Sequence, residues 1–366
     1  MHLGGSCPKF VSGEAEEVPD ATVLRPNKGF HPFLERDNPY LFIDACMQAW
    51  PDADYANAHR HGVAAYAVTA VHPHVSLETA VEALMFWQLI ARTHPNLLIA
   101  TTADDIRAAK RDGKAAIVVA AQDGDWIGLQ LHRIEAAYRL GLRLMLPVYN
   151  ATNHIGGGCL DHDTGLTRFG ETVVDECDRL GLLLDGSHVA KRTTLDIMAR
   201  TKGPFVFTHS NVKGIVDNPR NIDDEQITAC VATGGVVGLA PFGPFTFKKG
   251  SREWPSMADF IEHIDHVAQL TGSTDHIGIG TDMSLGTYPY HEQSPWGEPA
   301  YTSAIGEYAD AVSGDVRSPK RALRDFNCYP QVVDFAETLQ QRGYTEADVH
   351  KILGGNFLRV FEQVWK

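Results

Sequence analysis

The feature of this sequence that most constrains its fold is a regular alternation, from residue 41 onward, of short β-branched runs with longer amphipathic segments. Such alternation is typical of parallel strands linked by crossover helices. A doubly wound open sheet would contain fewer strands and a glycine fingerprint after the first, which this sequence does not show. We therefore predict an α/β protein built on a closed (β/α)8 barrel. The eight predicted strands span residues 41–45, 63–71, 115–122, 142–149, 182–188, 205–210, 236–242 and 276–282, and a short accessory strand spans 96–101.

The length of 366 residues fits one barrel with additions, since single α/β barrels commonly reach about 250 residues and more. Residues 1–40 are predicted to be an N-terminal extension, and residues 41–366 a single barrel domain. Within that domain, residues 283–325 are rich in Gly, Pro, Ser and Tyr and predict a long loop that covers a site. The run 331–365 predicts two C-terminal helices packed on the barrel exterior.

The charge balance narrows the class of partner. With 32 Lys and Arg against 46 Asp and Glu, the formal net charge is −14. Nucleic acid and anionic membranes repel such a chain, so we expect neither as a partner and a small-molecule substrate instead. No apolar stretch approaches the roughly 18 residues of a membrane span, the N-terminus shows no signal-peptide core, and the six cysteines form no CxxC pair. We therefore expect a cytoplasmic protein.

Polar residues that end the predicted strands define a candidate site, because the active sites of α/β barrels lie at the carboxyl ends of the strands. In chain order these residues are Cys46, Gln48, Gln122, Tyr149, Asn153, His188, His209 and Asp282. Two histidines and an aspartate from three strands have the character of metal ligands, since imidazole suits zinc and a carboxylate completes the sphere or acts as a base. A lone histidine at a strand end is more often structural, but the convergence of three such residues favours a metal site. Histidines elsewhere, such as His72 and His74, are expected on the solvated surface.

Four segments carry a resemblance to a known family. They read GLTRFGETVVDECDRLGLLLDGSHV, PFVFTHSNVKGIVDNPRNIDDEQI, HIDHVAQLTGSTDHIGIGTD and ILGGNFLRVF. In this order they resemble the membrane (renal) dipeptidase family of zinc metallopeptidases, within the amidohydrolase superfamily. The resemblance implies a barrel of the metal-dependent hydrolase type that binds two zinc ions and forms a homodimer. It also implies cleavage of dipeptides, including those with a D-residue at the C-terminal side.

The resemblance assigns roles by position. It implies that His188 and His209 are zinc ligands, that Asp282 acts on the attacking water, and that Arg220 binds the substrate carboxylate.

Three ligand positions depart from the family pattern. Where the family reads D-G-H-x-D, this chain has Cys46 in place of the histidine and Gln48 in place of the second aspartate. Gln122 stands where the family carries a bridging glutamate, and Tyr149 replaces a histidine or tryptophan that contacts substrate. Replacing two carboxylates by neutral amides removes the negative charge that would offset the repulsion between two zinc ions. A glutamine also bridges metals poorly, because only one of its side-chain atoms is an acceptor.

We therefore predict that the dinuclear centre is lost. What remains is one zinc ion on His188 and His209, with the Cys46 thiolate or Asp282 as a third ligand, or no metal at all. Cys46 has two further interpretations, as a nucleophile or acid/base thiol, and as a buried cysteine that fills the space of the missing histidine.

Three functions stay open at this point. The first is a dipeptidase-like amidohydrolase acting on a small amide or dipeptide-like carboxylate substrate, with Asp282 as the general base. The second is a non-hydrolytic enzyme (elimination, isomerisation or decarboxylation) in which Asp282 or Cys46 moves protons. The third is a catalytically silent homologue that binds a carboxylate ligand. The residues predicted to bind the substrate are Arg220, Tyr149, Asn153, Gln122 and Gln48.

Overall fold

The computed structural model describes residues 38–50, 52–248, 250–251, 253–286 and 321–366. Most of the predicted N-terminal extension (1–40) and most of the predicted loop (283–325) therefore lie outside the described residues. Within the described part, no helix has both the length and the hydropathy that a bilayer span requires.

In the part of the chain that the structure describes, ten parallel strands form a ring of nine strands with one accessory strand. Their order is β10-β1-β2-β4-β5-β6 in one sheet and β7-β8-β9 in the other, and β3 pairs beside β4. A parallel bridge between Asp185 and Val206 joins β6 to β7. The strands are β1 (Ile43–Ala49), β2 (Ala65–Val71), β3 (Leu97–Ile99), β4 (Ala115–Ala121), β5 (Leu142–Met145), β6 (Leu183–Leu184), β7 (Val206–Phe207), β8 (Val236–Leu239), β9 (Ile277–Ile279) and β10 (Met283–Leu285).

Two short strands, β9 and β10, together occupy the place of the last strand of the barrel, between β8 and β1. β9 pairs with β8, whereas β10, only three residues further along the chain, pairs with β1. The chain thus changes pairing partners across residues 280–282 and returns to the first strand. The predicted α/β barrel is confirmed, and β3 is the predicted accessory strand.

Helices cover the outside of this ring. Several of them begin at residues whose side chains cap the first turn, as Thr102, Asp223 and Ser256 do in reciprocal capping boxes. The helices are α1 (Leu77–Thr93), α2 (Ala103–Arg111), α3 (His132–Arg139), α4 (Arg168–Leu180), α5 (Lys191–Arg200), α6 (Asp224–Ala232), α7 (Gly243–Thr246), α8 (Met257–Thr271), α9 (Val332–Arg342), α10 (Glu346–His350) and α11 (Asn356–Val364).

The C-terminal helices differ from the prediction in position. α9 packs outside, where Phe335 contacts Phe260 of α8. α11 instead inserts Phe357 and Phe361 into the cluster of small side chains that fills the barrel interior. Gly278 on β9 has no room for a Cβ because the Phe357 ring lies against it. The prediction of an exterior position is therefore wrong for α11, which closes the amino-terminal end of the barrel because the interior residues, mostly alanine and valine, leave that end unfilled.

Some strand boundaries also differ. β1 extends to Ala49, so Cys46 and Gln48 lie within the strand rather than after it, because Met47 pairs with both Val68 and Met283. β10 forms the first part of the predicted long loop. The carboxyl ends of the strands nevertheless meet at one mouth, as predicted.

Candidate functional site

Backbone conformation marks the barrel mouth as unusual. Among the described residues, four that are not glycine have positive φ: His74 (58°), Asn150 (58°), His188 (67°) and Asp282 (52°). Each follows a barrel strand. A left-handed residue with a side chain costs about 1–2 kcal/mol and persists only where its surroundings hold it. The strain is therefore concentrated where the strands end.

Two imidazoles lie at the centre of this mouth. The Nε2 atoms of His188 and His209 are 2.9 Å apart, and both side chains are buried. Tyr149 stacks on His188 with ring centroids 3.9 Å apart. The sequence-predicted pair is thus brought together, and Tyr149 fixes the plane of one ring.

The hydrogen bonds around the pair determine where its protons are. His188 Nδ1 lies 2.7 Å from Oδ1 of Asn150, an oxygen that also accepts from the Cys159 thiol. His209 Nδ1 lies 2.7 Å from Oγ1 of Thr208, whose proton is donated to Asp185. Both Nδ1 atoms must therefore donate, because each faces an oxygen that can only accept. It follows that both Nε2 atoms carry lone pairs that point toward each other.

Burial keeps both rings neutral. It lowers the pKa of His209 to about 4 and that of His188 well below its usual range, and the Arg220 guanidinium adds to both shifts. At neutral pH no proton is expected between the two nitrogens. Two converging neutral Nε2 atoms are donors of the type that zinc accepts, so this pair fits one cation.

The opposite side of the mouth is occupied by hydrogen bonds between protein groups. The Asp282 carboxylate accepts from Gln48 Nε2 at 2.9 Å and from Arg321 Nη2 at 3.2 Å. Its backbone amide donates to the Cys46 carbonyl at 2.8 Å. Arg321 was not predicted from the sequence, since it falls in the predicted loop and no motif marks it.

Cys46 points toward an amide rather than toward the imidazole pair. Its sulfur accepts a hydrogen bond from Gln122 Nε2 at 3.3 Å. Burial, with the negative charges of Asp282 and Asp44 nearby, raises the pKa of the thiol well above its usual value. Among the residues that the structure describes, Cys46 does not form one compact three-ligand cluster with His188 and His209.

Arg220 lies beside the pair in a buried position. Its guanidinium lies 5.1 Å from the centroid of the Phe245 ring and donates to the His209 carbonyl at 3.4 Å. Within the described ranges no carboxylate forms an ion pair with it. Burying a charge without a counter-charge is costly. The adjacent cavity of about 240 Å³ is lined by three cations and three carboxylates: Arg220, Lys191, Lys213, Asp161, Asp163 and Asp223. Lys191 and Lys213 form ion pairs with aspartates, so among the described residues Arg220 is the lining cation that attracts an anionic group.

The side-chain amide of Asn153 forms hydrogen bonds through both its NH₂ group and its oxygen, mostly within its own loop. It donates to Pro147 and Asp123 and accepts from the amides of Ile155 and Gly156. Its predicted role in substrate binding stays a prediction.

A second charged cluster at the mouth was missed. His74 Nδ1 lies 3.1 Å from Asp123 and 2.9 Å from Asp125, and among the described residues these three form the one compact His/carboxylate group of metal-ligand type. The two carboxylates raise the pKa of His74 to about 10, which describes a protonated imidazole between two anions. Asp123 also accepts from the amides of Gly124 and Asp125. One protonated imidazole offsets only one of the two carboxylate charges, so the cluster keeps a net negative charge, and His74 is not simply a solvated residue.

Comparisons with known proteins place the chain among peptidases. The family profile described as membrane dipeptidase (peptidase family M19) matches residues 51–292 and 304–366. The match begins after the Cys46 and Gln48 positions. A structure titled as an amidohydrolase from Pseudomonas aeruginosa is 27% identical, with a TM-score of 0.78, and the alignment covers 89% of this chain and 97% of that one.

Two further proteins are similar. An uncharacterized protein encoded in the pqqA 5′ region of Klebsiella pneumoniae is 27% identical over 76% of this chain and 93% of its own length. A metallopeptidase from Rhodobacter sphaeroides, solved with a phosphinate mimic of the dipeptide L-Ala-D-Ala, has a TM-score of 0.72 at 18% identity, covering 90% of this chain and all of that one. The latter similarity concerns the fold alone.

Proposed function

Because the chain belongs to the membrane dipeptidase family (peptidase family M19), we propose that it is a metal-dependent amidohydrolase with a single metal ion on His188 and His209. Its substrate is a small, dipeptide-like amide with a free carboxylate. The observation that carries the proposal is the pair of Nε2 lone pairs, 2.9 Å apart, whose direction is fixed by donation from both Nδ1 atoms.

The carboxylate of the substrate is assigned from Arg220. This buried guanidinium borders the cavity that contains His188 and has no carboxylate partner among the described residues. A charge-assisted hydrogen bond to a substrate carboxylate would satisfy it. The Rhodobacter metallopeptidase, which shares the fold, was solved with a phosphinate mimic of a dipeptide, a ligand of the class proposed here.

A second metal ion does not fit the residues present. Gln48 and Gln122 contribute amides where carboxylates would be needed, and both amides already donate hydrogen bonds, to Asp282 and Cys46 respectively. The positive charge on this side of the mouth comes from Arg321, bonded to Asp282. A second divalent cation would therefore face a cationic side chain and too few anionic ligands.

The roles of the side chains follow from their positions. A zinc ion bound here would polarise the scissile carbonyl and acidify water. Asp282, held by Gln48 and Arg321, accepts the proton of the attacking water and returns it to the leaving amine. Arg220 orients the substrate through its carboxylate, and Tyr149 holds the His188 ring by stacking. The Cys46 thiol stays protonated and takes no part in proton transfer.

Metal content and hydrolysis test the proposal together. We expect about one zinc per chain by elemental analysis, and hydrolysis of dipeptides that chelation abolishes and zinc restores. A panel with L- and D-residues at the C-terminal side defines the specificity, and amidated dipeptides serve as matched substrates without the carboxylate. Two zinc ions per chain, or hydrolysis insensitive to chelation, would contradict the proposal.

A further inference from the structure

Two buried aspartates at the mouth have no role in the reaction described above. Asp185 and Asp44 are both fully buried. Each accepts the backbone amide and the hydroxyl of a threonine on a neighbouring strand end: Thr208 for Asp185, and Thr281 for Asp44. We call these pairs the first clasp (Asp185–Thr208) and the second clasp (Asp44–Thr281). Each threonine directly precedes a residue of the site, His209 or Asp282.

The two clasps also share their remaining backbone contact. Oδ1 of Asp185 accepts from the amide two residues later, that of Ser187, at 2.8 Å. Oδ1 of Asp44 accepts from the amide of Cys46, likewise two residues later, at 3.2 Å. In both clasps, therefore, Oδ1 holds backbone amides and Oδ2 receives the threonine hydroxyl.

The clasps differ in what the threonine oxygen does next. A hydroxyl has one proton, and in both clasps that proton goes to the aspartate. The oxygen can then only accept from its other neighbour. In the first clasp the nearest such neighbour is His209 Nδ1, at 2.7 Å, with the Ser187 hydroxyl further away at 3.4 Å, whereas in the second it is the backbone amide of Met283, at 3.0 Å. Oδ2 of Asp44 differs from that of Asp185 in accepting a second hydroxyl, that of Tyr329, at 2.9 Å. Only the first clasp is connected to an imidazole.

We propose that Asp185 is a positioning residue that acts through the Thr208 hydroxyl to hold His209 in its Nδ1–H tautomer. The direction of every hydrogen bond in the series follows from the carboxylate at its end, which can only accept. His209 donates to Thr208, Thr208 donates to Asp185, and the Nε2 lone pair is left pointing at His188. The consequence for metal binding rests on the proposed function, but the tautomer does not.

The substitution Asp185→Asn tests this direction with almost no change of shape. Oδ1 of the asparagine can still accept the amides of Ser187 and Thr208, while its NH₂ group replaces Oδ2 and donates to the threonine oxygen. The threonine proton then turns to His209 Nδ1, and the ring proton moves to Nε2, where it forms a hydrogen bond to His188. The two imidazoles would then be hydrogen-bonded to each other, and no pair of lone pairs would remain to bind a cation.

The measurement is the histidine tautomer in metal-free protein. In ¹⁵N-histidine-labelled protein, long-range ¹H–¹⁵N correlation spectra distinguish Nδ1–H from Nε2–H rings, and loss of one signal set in His209→Gln assigns His209 among the 17 histidines. We expect Nδ1–H in the unsubstituted protein and Nε2–H in Asp185→Asn. Thr208→Val, which removes the acceptor, should also give Nε2–H, whereas Thr208→Ser should retain Nδ1–H.

The second clasp supplies the matched control. Asp44→Asn reverses the same bond next to Thr281, whose hydroxyl contacts no imidazole among the described residues, and it also turns the Tyr329 hydroxyl that donates to Oδ2. The tautomer of His209 should not change. Zinc affinity is the second measurement, and we expect a loss of about 10- to 100-fold for Asp185→Asn, as for other outer-shell partners, with Thr208→Ser near the parent value.

The outcomes separate this inference from the proposed function. An Nε2–H ring in the unsubstituted protein, or an Nδ1–H ring in folded Asp185→Asn and Thr208→Val, would overturn the role of Asp185 even if zinc binds. If Asp185→Asn does not fold, the Thr208→Val and Thr208→Ser pair decides alone. An Nδ1–H ring that responds as expected, in a protein that binds no zinc, would support the first clasp and contradict the proposed function.

Discussion

The two sides of the barrel mouth are built on the same clasp and end in opposite chemistry. On one side, Asp185 with Thr208 holds His209, and Asn150 holds His188, so that both imidazole lone pairs are left without a protein donor. On the other, Gln48 and Arg321 use both oxygens of Asp282. The shared arrangement of Asp, Thr and backbone amides therefore does not determine whether a side of the mouth can bind a metal ion. What decides it is whether the side-chain atoms at the strand ends already satisfy one another.

The largest expected effect comes from removing a donor on the imidazole side. His209→Ala should leave a single nitrogen and abolish retention of zinc through dialysis, and with it hydrolysis, a loss well beyond the roughly 100-fold typical of outer-shell changes. Elemental analysis and a dipeptide assay measure both. His266→Ala is the control, since His266 is a partly exposed residue paired with Asp224 on the outside of the barrel. If His209→Ala retains its zinc, the imidazole side of the mouth is not where the metal binds.

Adding metal ligands to the Asp282 side of the mouth tests whether the lack of anionic ligands is what prevents a second metal ion from binding there. The triple substitution Cys46→His, Gln48→Asp and Gln122→Glu restores two carboxylates and an imidazole around Asp282. We expect metal content to rise from about one to about two per chain, because the added anions offset the charge of a second ion. Cys46→Ser alone should leave it at one. A triple variant that folds but still binds one ion would show that Arg321 excludes the second, which Arg321→Met in the same background then tests.

Arg220 should affect substrate binding rather than metal binding. Arg220→Met removes a charge-assisted hydrogen bond worth about 1.5–3 kcal/mol, so KM for dipeptides should rise by about 10- to 100-fold. Zinc content should not change, and amidated dipeptides should be affected little. Arg342→Met is a suitable control, since Arg342 pairs with Asp265 on the surface. An equal loss on free and amidated dipeptides would argue against a carboxylate contact.

The smallest effect is a pair of opposite pH dependences in the stability of the metal-free protein. His209 has its pKa lowered to about 4, so the unfolded chain binds its proton first and stability falls as pH drops from about 6.5 toward 4. His74 has its pKa raised to about 10, so its contribution is complete below about pH 6.5 and is lost as pH rises toward 10. The free energy of unfolding, measured with urea as a function of pH, should fall less steeply at acid pH in His209→Gln than in the unsubstituted protein. In His74→Gln it should fall less steeply at alkaline pH. If His209→Gln changes the alkaline pH dependence instead, or His74→Gln the acid one, that pH dependence does not arise from the histidine to which it is attributed here.

The sequence was sufficient for the barrel and for the proximity of the two histidines, whose role as metal ligands stays a prediction. Parallel strands alternating with helices predicted the ring, and the histidines ending two strands predicted the imidazole pair, because strand ends in a barrel converge regardless of detailed packing. Gln48 and Asp282, 234 residues apart, were both predicted to lie at this mouth, and there they form a hydrogen bond that was not itself predicted.

The other features depend on information that local patterns do not carry. Arg321 reaches Asp282 from the last part of the predicted loop, and a lone arginine in such a segment has no spacing signal. The charge of His74 comes from Asp123 and Asp125 on a different strand end. The direction of the Thr208 hydrogen bond depends on which atom faces which, although the sequence does show Thr208 directly before His209.

The change of pairing partner between β9 and β10 has a consequence for how this site can be altered. Asp282 belongs to neither strand, and the register with β8 and the register with β1 are set by separate residues on either side of it. Gly280 is packed so closely against the Thr208 carbonyl that a larger residue there would displace the wall. In directed evolution, substitutions or single-residue insertions between Gly280 and Asp282 would break the second clasp and so re-aim the carboxylate, while leaving both neighbouring strand pairings available to the fold.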